Sequence, residues 1–119
     1  MTNYKRGDIV LVLFPDSNLQ TAKKRPALIV QADNLQTNLT QLIVAMITTN
    51  MARANHKSRV TILLNSLEGK QSGLQFDSVI ASDNLTTVQE KFIDKALGNL
   101  PTMNAVESAL AHTFDLKLA

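Results

Sequence analysis

The hydrophobic positions of this chain fall mostly into short, nearly continuous runs of Val, Ile and Leu. Each run is bounded by Gly, Pro, Asn or Asp, a pattern typical of strands in a small β domain. A long amphipathic helical pattern is absent from the first hundred residues. The runs therefore predict five strands, at residues 8–14, 26–31, 42–49, 60–64 and 78–82.

Two segments between these runs are less regular. Residues 15–24 show neither helical nor alternating periodicity, and we expect a polar loop longer than a hairpin needs. Loops of this kind often carry function. Residues 85–97 leave two alternatives open: a short helix with a capping box from Thr87 to Glu90, or a last strand over 92–97. Gly98 is expected to end either one.

The C-terminal region has a helical pattern. Met103, Val106, Leu110 and Phe114 recur at spacings of three and four residues and form one apolar stripe, with Thr102 as a candidate N-cap. The chain is therefore predicted to be mainly β with α additions. We expect one compact barrel-like domain over residues 1–119, closed by this amphipathic helix.

Composition excludes several classes of protein. The chain has 45% hydrophobic and 18% charged residues, which is ordinary for a globular domain. It has no cysteine, which excludes disulfides, a thiolate nucleophile and a Cys-based zinc site. The start does not resemble a signal peptide, and no apolar run approaches the ~20 residues of a membrane span. We expect a cytoplasmic protein that does not contact membranes.

The net charge of +2 is too small to indicate nucleic-acid binding by itself. The distribution is more informative, because basic residues cluster at 5–6, 23–25 and 53–59, whereas most acidic residues lie in the second half. Two interpretations stay open. One face could bind an anionic partner, or the charges could simply be scattered and solvated.

Familiar catalytic motifs are absent, and the two histidines, His56 and His112, are weak candidates for catalysis. Arg25 opens an apolar strand directly after the polar loop, and Thr48 ends another. Such strand ends can converge at one rim of a small barrel. There a guanidinium could bind a phosphate through two donors while a hydroxyl orients it. The alternative is a solvated Arg25 and a Thr48 hydroxyl satisfied within its own strand end.

Four segments in order resemble the MazF/PemK/Kid toxins. They are KRGDIV at 5–10, KRPALIV at 24–30, IVAMITT at 43–49, and DSVIASD at 77–83 followed by LTTV at 85–88. The similarity extends from about residue 5 to the terminal helix. It implies an SH3-like barrel of the CcdB/PemK type that forms a homodimer, and a cognate antitoxin with an acidic, disordered tail, with which such toxins bind DNA.

The same resemblance implies an endoribonuclease that cleaves single-stranded RNA, usually mRNA, without a metal or other cofactor. The ribose 2′-hydroxyl attacks the adjacent phosphate and leaves 2′,3′-cyclic phosphate and 5′-hydroxyl ends. The family arginine corresponds to Arg25 and the family threonine to Thr48. These would stabilise and hold the reacting phosphate, and Asp83 corresponds to an acidic position that could act as base or orienter.

The chain also departs from the family pattern, which leaves the general base open. The loop at 19–24 lacks the usual Glu-Gln, glycine and histidine, and no arginine lies near Ala81. Aromatic residues are few and are expected mostly in the core, so polar residues must supply RNA contacts. The candidates are Lys23, Lys24, Gln20, Thr49, Asn50 and Arg53. A CcdB-like gyrase-binding toxin and a degenerate relative that only binds RNA or a partner are the alternatives.

Overall fold

The computed structural model describes residues 3–15, 18 and 20–117. Strands are the main regular structure among these residues, as predicted. The strands are β1 (Asp8–Pro15), β2 (Ala22–Ile29), β3 (Gln41–Thr48), β4 (Arg59–Ile62), β5 (Ser78–Gln89) and β6 (Ile93–Asn99). The helices are α1 (Leu67–Ser72) and α2 (Asn104–Phe114), and a 3-10 turn, Glu90–Phe92, joins β5 to β6.

The strands form one antiparallel sheet in the order β4-β5-β3-β2-β1-β6. Apolar side chains cover both of its faces, which explains why the sequence shows continuous runs rather than strict alternation. The first cluster contains Val10, Val12, Ala27, Ile29, Leu42, Val44, Val88 and Ile93. The second cluster contains Ile9, Leu28, Ala45, Ile47, Ile62, Ile80 and, from α2, Val106.

Strand β2 lies further towards the N-terminus than the apolar pattern predicted. It begins at Ala22 because β1 continues to pair with it through Phe14↔Lys23 and Pro15↔Ala22. Its first four side chains are exposed, so hydrophobicity did not reveal them. The predicted loop at 15–24 is therefore shorter, and Asp16, Ser17 and Leu19 within it lie outside the described residues.

The ambiguous segment is strand apart from the 3-10 turn at Glu90–Phe92, and Thr87 lies in β5, so the capping box from Thr87 to Glu90 is wrong. Thr87 and its neighbours continue β5, where they pair with β3, and Val88 is buried in the first cluster. The β-branched side chains of this segment suit a pleated, half-buried surface. The last strand, β6, runs to Asn99, so the prediction that Gly98 ends this segment is also wrong.

Helix α1 was not predicted, because six residues are too few to show helical periodicity. Its N-terminus is capped by Ser66, whose hydroxyl accepts a hydrogen bond from the Gly69 amide at 3.0 Å. It ends at Gly73, which adopts the left-handed conformation with φ 75°. The carbonyl of Gln71 in its last turn lies directly against Gly98 of β6.

The predicted C-terminal helix is present as α2. Its N-cap is Met103 rather than the predicted Thr102, so the helix begins one residue later than expected. The Thr102 hydroxyl nevertheless accepts a hydrogen bond from the Asn104 amide at 3.3 Å. Val106 is buried, but Phe114 is 55% exposed, so the predicted stripe does not reach the end of the helix. In the part of the chain that the structure describes, no helix is long and apolar enough to cross a membrane.

A bulge interrupts β5 where it pairs with β3. Ala45 pairs with Leu85, whereas the next residue, Met46, pairs with Ala81, so residues 82–84 have no counterpart on β3. Such an insertion bends the strand and redirects its side chains. The Ser82 amide donates to the Ser58 carbonyl at 3.0 Å, which fixes the bulge to the chain just before β4.

An ion pair also holds this bulge. Arg59 Nε lies 2.9 Å from Asp83 Oδ1, and Arg59 Nη2 donates to Oδ2 at 3.5 Å. Partial burial by itself would raise the pKa of Asp83. The hydrogen bond and the positive charge of Arg59, helped by a hydrogen bond from Ser58, outweigh that effect and keep the pKa below its ordinary value.

Replacing Gly98 by alanine is expected to destabilise the fold by about 1–3 kcal/mol, because the new methyl group would overlap the backbone of α1. A Cβ at this position would lie 2.6 Å from the Ser72 carbonyl oxygen. The free energy of unfolding in urea is the measurement. Lys95→Ala, an exposed position on the same strand, is the control and should change little. Equal stability of both variants would contradict the close approach.

Replacing Asp83 by asparagine should lower the free energy of unfolding at pH 7 by about 1–2 kcal/mol, between the values for exposed and buried ion pairs. Because folding lowers the pKa of Asp83, its contribution is present at neutral pH and is lost as the pH falls through that pKa. The difference from wild type should therefore shrink below about pH 4. Urea unfolding across this pH range measures it.

The matched control for Asp83→Asn is Asp94→Asn, which removes the more exposed ion pair with Lys24. That change should cost no more than about 0.5 kcal/mol at pH 7. A pH-independent loss for Asp83→Asn would show that the lost stability does not come from its ionised form.

Candidate functional site

A pocket opens on the sheet between the ends of β2 and β3. Its volume is about 620 Å³. It is lined by Phe14, Lys24, Arg25, Pro26, Met46, Ile47, Thr48, Thr49, Ser78, Asn84 and Thr86. We call it the first pocket. Four of the residues that the sequence singled out, Lys24, Arg25, Thr48 and Thr49, are therefore brought together here.

Strand register explains how Arg25 and Thr48 reach the same pocket. Ala27 of β2 is the partner of Met46 of β3, and side chains on one face of a strand recur every second residue. Arg25 and Thr48 each lie two residues beyond that pair. They therefore belong to the same face of the sheet as the first cluster. The ladder between β2 and β3 stops at Ala27, beside Pro26, which has no N–H to donate.

A turn fixes the Thr48 hydroxyl. Its Oγ1 accepts a hydrogen bond from the Asn50 amide at 3.0 Å, and Asn50 Oδ1 in turn accepts the Ala52 amide at 3.0 Å. Side chains that bond to the backbone two residues on hold short turns in this way. With its oxygen engaged as an acceptor, the hydroxyl still has a proton to donate into the pocket.

The Arg25 guanidinium is exposed, and among the described residues it has neither an ion-pair partner nor a side-chain hydrogen bond. Its donors are consequently available to a ligand. By contrast, Lys24, at the rim of the same pocket, forms an ion pair with Asp94 of β6 at 3.2 Å. The guanidinium is the more suitable of the two for a phosphate, because its fork can bind two oxygens at once.

A second pocket, of about 440 Å³, adjoins the first. The two share the side chains of Met46, Thr48 and Asn84 as a common wall. The other residues lining the second pocket are Asn50, Ala52, Arg53, Arg59 and Ala81. Asn50 and Arg53, both predicted as RNA contacts, lie here rather than beside Arg25.

Three of the predicted site residues line neither pocket. Lys23 is exposed on β2, and Gln20 is exposed in the loop before it, where its amide donates to Asn18 Oδ1 at 2.9 Å. Asp83 projects from the bulge of β5 towards Arg59. Because the pKa of Asp83 is kept below its ordinary value, its carboxylate is a weak proton acceptor in this environment.

Sequence reasoning missed four polar or charged residues of these pockets that the structure identifies, and one of them, Ser78, lines the first pocket. Asn84 and Thr86 also line the first pocket, and Arg59 lines the second. Arg59 is the cross-strand partner of Ala81. The clustering of basic residues at 53–59 was the only available signal for it, since its neighbour on β5 cannot be read from the sequence.

The expectation that the aromatic residues are mostly core is wrong for three phenylalanines. Phe76, Phe92 and Phe114 are 65%, 44% and 55% exposed. Of the aromatic residues, Phe14 lines the first pocket, where its ring is a surface on which a base can stack.

The rings of His56 and His112 pack edge to face, and neither histidine lines either pocket. Their ring centroids are 6.0 Å apart. The Ser58 amide donates a hydrogen bond to His56 Nδ1 at 3.1 Å. Over residues 3–15, 18 and 20–117, no three His, Asp or Glu side chains converge in a group that could hold a metal ion.

Taken together, the first pocket offers a guanidinium that no described residue pairs with, a positioned hydroxyl donor and an aromatic ring, and the second pocket adds two arginines. Such an arrangement can bind and polarise a phosphodiester. A cationic donor and a neutral one directed at the same group can stabilise the negative charge that develops on phosphate oxygens during attack.

Known proteins with similar sequences include a toxin family and named endoribonucleases. A family model described as PemK-like, MazF-like toxin of type II toxin–antitoxin system matches residues 5–114. Endoribonuclease MazF2 of Mycobacterium bovis and Endoribonuclease MazF6 of Mycobacterium tuberculosis are each 31% identical to this chain over 107 residues. These alignments cover 87% of this chain and 90% of either relative.

Solved structures share the fold at lower sequence identity. An endoribonuclease in complex with its cognate antitoxin from Mycobacterial species has a TM-score of 0.74 at 21% identity, covering 98% of this chain and 99% of that one. A MazE–MazF structure from Deinococcus radiodurans has a TM-score of 0.73 at 14% identity, covering 96% and 98%. With the family model matching nearly its whole length, this chain belongs to the PemK-like, MazF-like toxins of type II toxin–antitoxin systems.

Proposed function

We propose that this protein is a sequence-specific endoribonuclease toxin that cleaves single-stranded RNA, chiefly mRNA. The observation that carries the proposal is the pairing of Arg25 and Thr48 in one pocket large enough for a nucleotide. The relatives at 31% identity bear the name endoribonuclease, which supports the same activity.

In the proposed reaction the ribose 2′-hydroxyl attacks the adjacent phosphorus. The bond to the 5′-oxygen of the next nucleotide breaks, which leaves a 2′,3′-cyclic phosphate on one product and a 5′-hydroxyl on the other. The proton lost by the 2′-hydroxyl is balanced by one gained at the leaving 5′-oxygen. No metal or other cofactor takes part in this scheme.

Arg25 would bind the non-bridging oxygens of the reacting phosphate and stabilise the extra negative charge of the pentacoordinate transition state. Its lack of a partner among the described residues supports this role, because no protein carboxylate has to be displaced. Thr48 would donate its hydroxyl proton to one of those oxygens. The turn formed with Asn50 fixes the hydroxyl before the substrate binds.

Asp83 fits a positioning role better than that of general base. It contacts Arg59 and does not line the pocket of Arg25 and Thr48. The lowered pKa favours its ionised, ion-paired form. We therefore assign Asp83 to holding the guanidinium of Arg59.

Lys23, Lys24, Gln20, Thr49, Asn50 and Arg53 would contact the RNA around the reacting phosphate. The residues that line the pockets, Lys24, Thr49, Asn50 and Arg53, would lie next to it, while exposed Lys23 and Gln20 would contact more distant nucleotides.

The proposed function includes a homodimer and an antitoxin partner. A single sheet bent by bulges in β5 and β6 suits the SH3-like barrel that the resemblance implies, and we propose that the toxin acts in the cytoplasm as a homodimer. A cognate antitoxin with an acidic, disordered tail would neutralise it by occupying the basic pockets, and the complex would bind DNA. Solved relatives in complex with a cognate antitoxin support such a partner.

Cleavage should depend on Arg25 and Thr48. With a long single-stranded RNA in EDTA, we expect the wild type to cleave, while Arg25→Ala and Thr48→Ala each lose about 10²- to 10³-fold in rate. Gel analysis with end-group chemistry should identify cyclic phosphate and 5′-hydroxyl termini. Both variants remove exposed or half-exposed groups, so circular dichroism should show them folded.

The contradicting outcomes point to different functions. Unchanged RNA together with tight binding to gyrase would favour a CcdB-like toxin. Unchanged RNA that is nevertheless bound would indicate a relative that has lost cleavage. Cleavage that requires an added divalent metal would overturn the proposed chemistry while leaving the activity intact.

RNA affinity should depend more on Lys23 than on Lys24, because Asp94 already compensates the charge of Lys24. Binding of a non-cleavable 2′-O-methyl RNA is measured against salt concentration. We expect Lys23→Ala to reduce the slope of log K against log salt by about 0.7, the value for one phosphate contact to a single strand. Lys24→Ala should reduce it less. The reverse order would contradict this assignment.

A further inference from the structure

The second pocket is a basic site that borders the proposed reaction centre. We propose that Arg59, together with Arg53, binds there a backbone phosphate of the RNA next to the one that is cleaved. This inference rests on the proposed ribonuclease function. It assigns to Arg59 a role in substrate binding, and to Asp83 a role in positioning Arg59.

Continuity between the pockets makes a neighbouring phosphate the natural ligand. Met46, Thr48 and Asn84 form the wall that both pockets share. Since Thr48 contributes to both, a polynucleotide with one phosphate at Arg25 and Thr48 can continue directly into the second pocket. Phosphates recur at every nucleotide of the strand, so an adjacent phosphate lies within reach.

The charge of the second pocket selects an anion. Two arginines, Arg53 and Arg59, line it, and none of the described residues that line it is acidic. Its remaining polar side chains, those of Thr48, Asn50 and Asn84, have hydrogen-bond donors to offer. A phosphate diester matches this lining better than a neutral base does.

Arg59 is held in a defined orientation, unlike an ordinary surface arginine. Only 16% of its side chain is exposed, although β4 is an edge strand. Asp83 Oδ1 lies 2.9 Å from Nε without the alignment of a hydrogen bond, Oδ2 accepts a hydrogen bond from Nη2 at 3.5 Å, and Nη1 has no partner among the described residues. Asp83 therefore occupies one edge of the planar fork and leaves donors for a second anion, as a carboxylate behind an arginine does in preorganised sites.

This arrangement predicts weaker binding of the RNA substrate when Asp83 loses its charge. A pocket that acts only through its overall positive charge would bind RNA more tightly in Asp83→Asn, because one negative charge is gone. A pocket that needs an oriented guanidinium would bind the cleavable substrate less well. The change in KM, measured apart from kcat, distinguishes the two.

The decisive experiment neutralises single phosphates of the substrate. After the cleaved linkage has been located in a long RNA, short oligonucleotides are made with one cleavable ribose and 2′-deoxyribose elsewhere. Each neighbouring linkage in turn is replaced by an uncharged methylphosphonate. For the wild type, we expect kcat/KM to fall about tenfold or more at one neighbouring linkage, the loss typical of a charge-assisted contact.

Arg59→Ala should lose a similar factor on the fully charged oligonucleotide. On the oligonucleotide with the neutral linkage, it should lose almost nothing further, because the contact is already gone. Arg59→Lys, which keeps the charge but not the fork, should retain part of the linkage effect. Thermal unfolding monitors folding, and the wild-type measurements do not depend on any variant.

Lys57→Ala is the matched control. Lys57 is an exposed cation in the same basic segment, and it lines neither pocket. It should keep the full sensitivity to the neutral linkage, with only the small general loss expected for any surface cation.

The possible results separate this inference from the function on which it rests. If the wild type cleaves no RNA, the proposed function fails. If it cleaves RNA but Arg59→Ala and the neutral linkage reduce kcat/KM additively at every position, the phosphate site is refuted and the function stands. The same holds if Arg59→Ala leaves cleavage unchanged and weakens only the binding of poly-glutamate, which would assign the pocket to an acidic peptide.

Discussion

The whole site depends on what happens to the hydrogen-bonded ladders of β3 at Met46. On one side of this strand, pairing with β2 stops at the Ala27–Met46 pair, and on the other side the register with β5 slips between Ala45 and Met46. In a regular sheet, side chains of the neighbouring strands would cover the surface beside Met46. Because the pairing with β2 ends and the register with β5 shifts at the same residue, space opens beyond Met46. Its side chain lines both pockets.

This double interruption gives the site residues different surroundings. Arg25 lies beyond the last β2–β3 pair and has no counter-ion among the described residues, whereas Arg59 lies opposite the bulge and is paired with Asp83. The first arginine can respond fully to charge that develops in a reaction. The second is already partly neutralised, so it suits binding of a permanent charge at fixed geometry. The two arginines are thus suited to different tasks.

Apolar runs were enough to predict five of the six strands and to suggest that the strand ends carrying Arg25 and Thr48 converge, whereas assigning the two residues to one site depended on the family resemblance. The sequence could not reveal Asn84 or Arg59 as pocket residues. Their positions follow from a bulge, which depends on the register between β3 and β5 and leaves no mark on local hydrophobicity. The early start of β2 was hidden for a related reason, since its exposed polar residues are strand only because β1 pairs with them.

The ion pair between Arg59 and Asp83 connects the stability of the fold with the chemistry of the site. Both side chains are partly withdrawn from water, and the carboxylate belongs to the bulge that opens the pockets. Removing it would leave a partly buried guanidinium without its counter-ion and loosen the attachment of the bulge to β4. A loss of activity in such a variant could then arise from the bulge or from Arg59. A neutral linkage in the substrate leaves the protein unchanged, and it therefore separates the proposed binding role of Arg59 from its structural role.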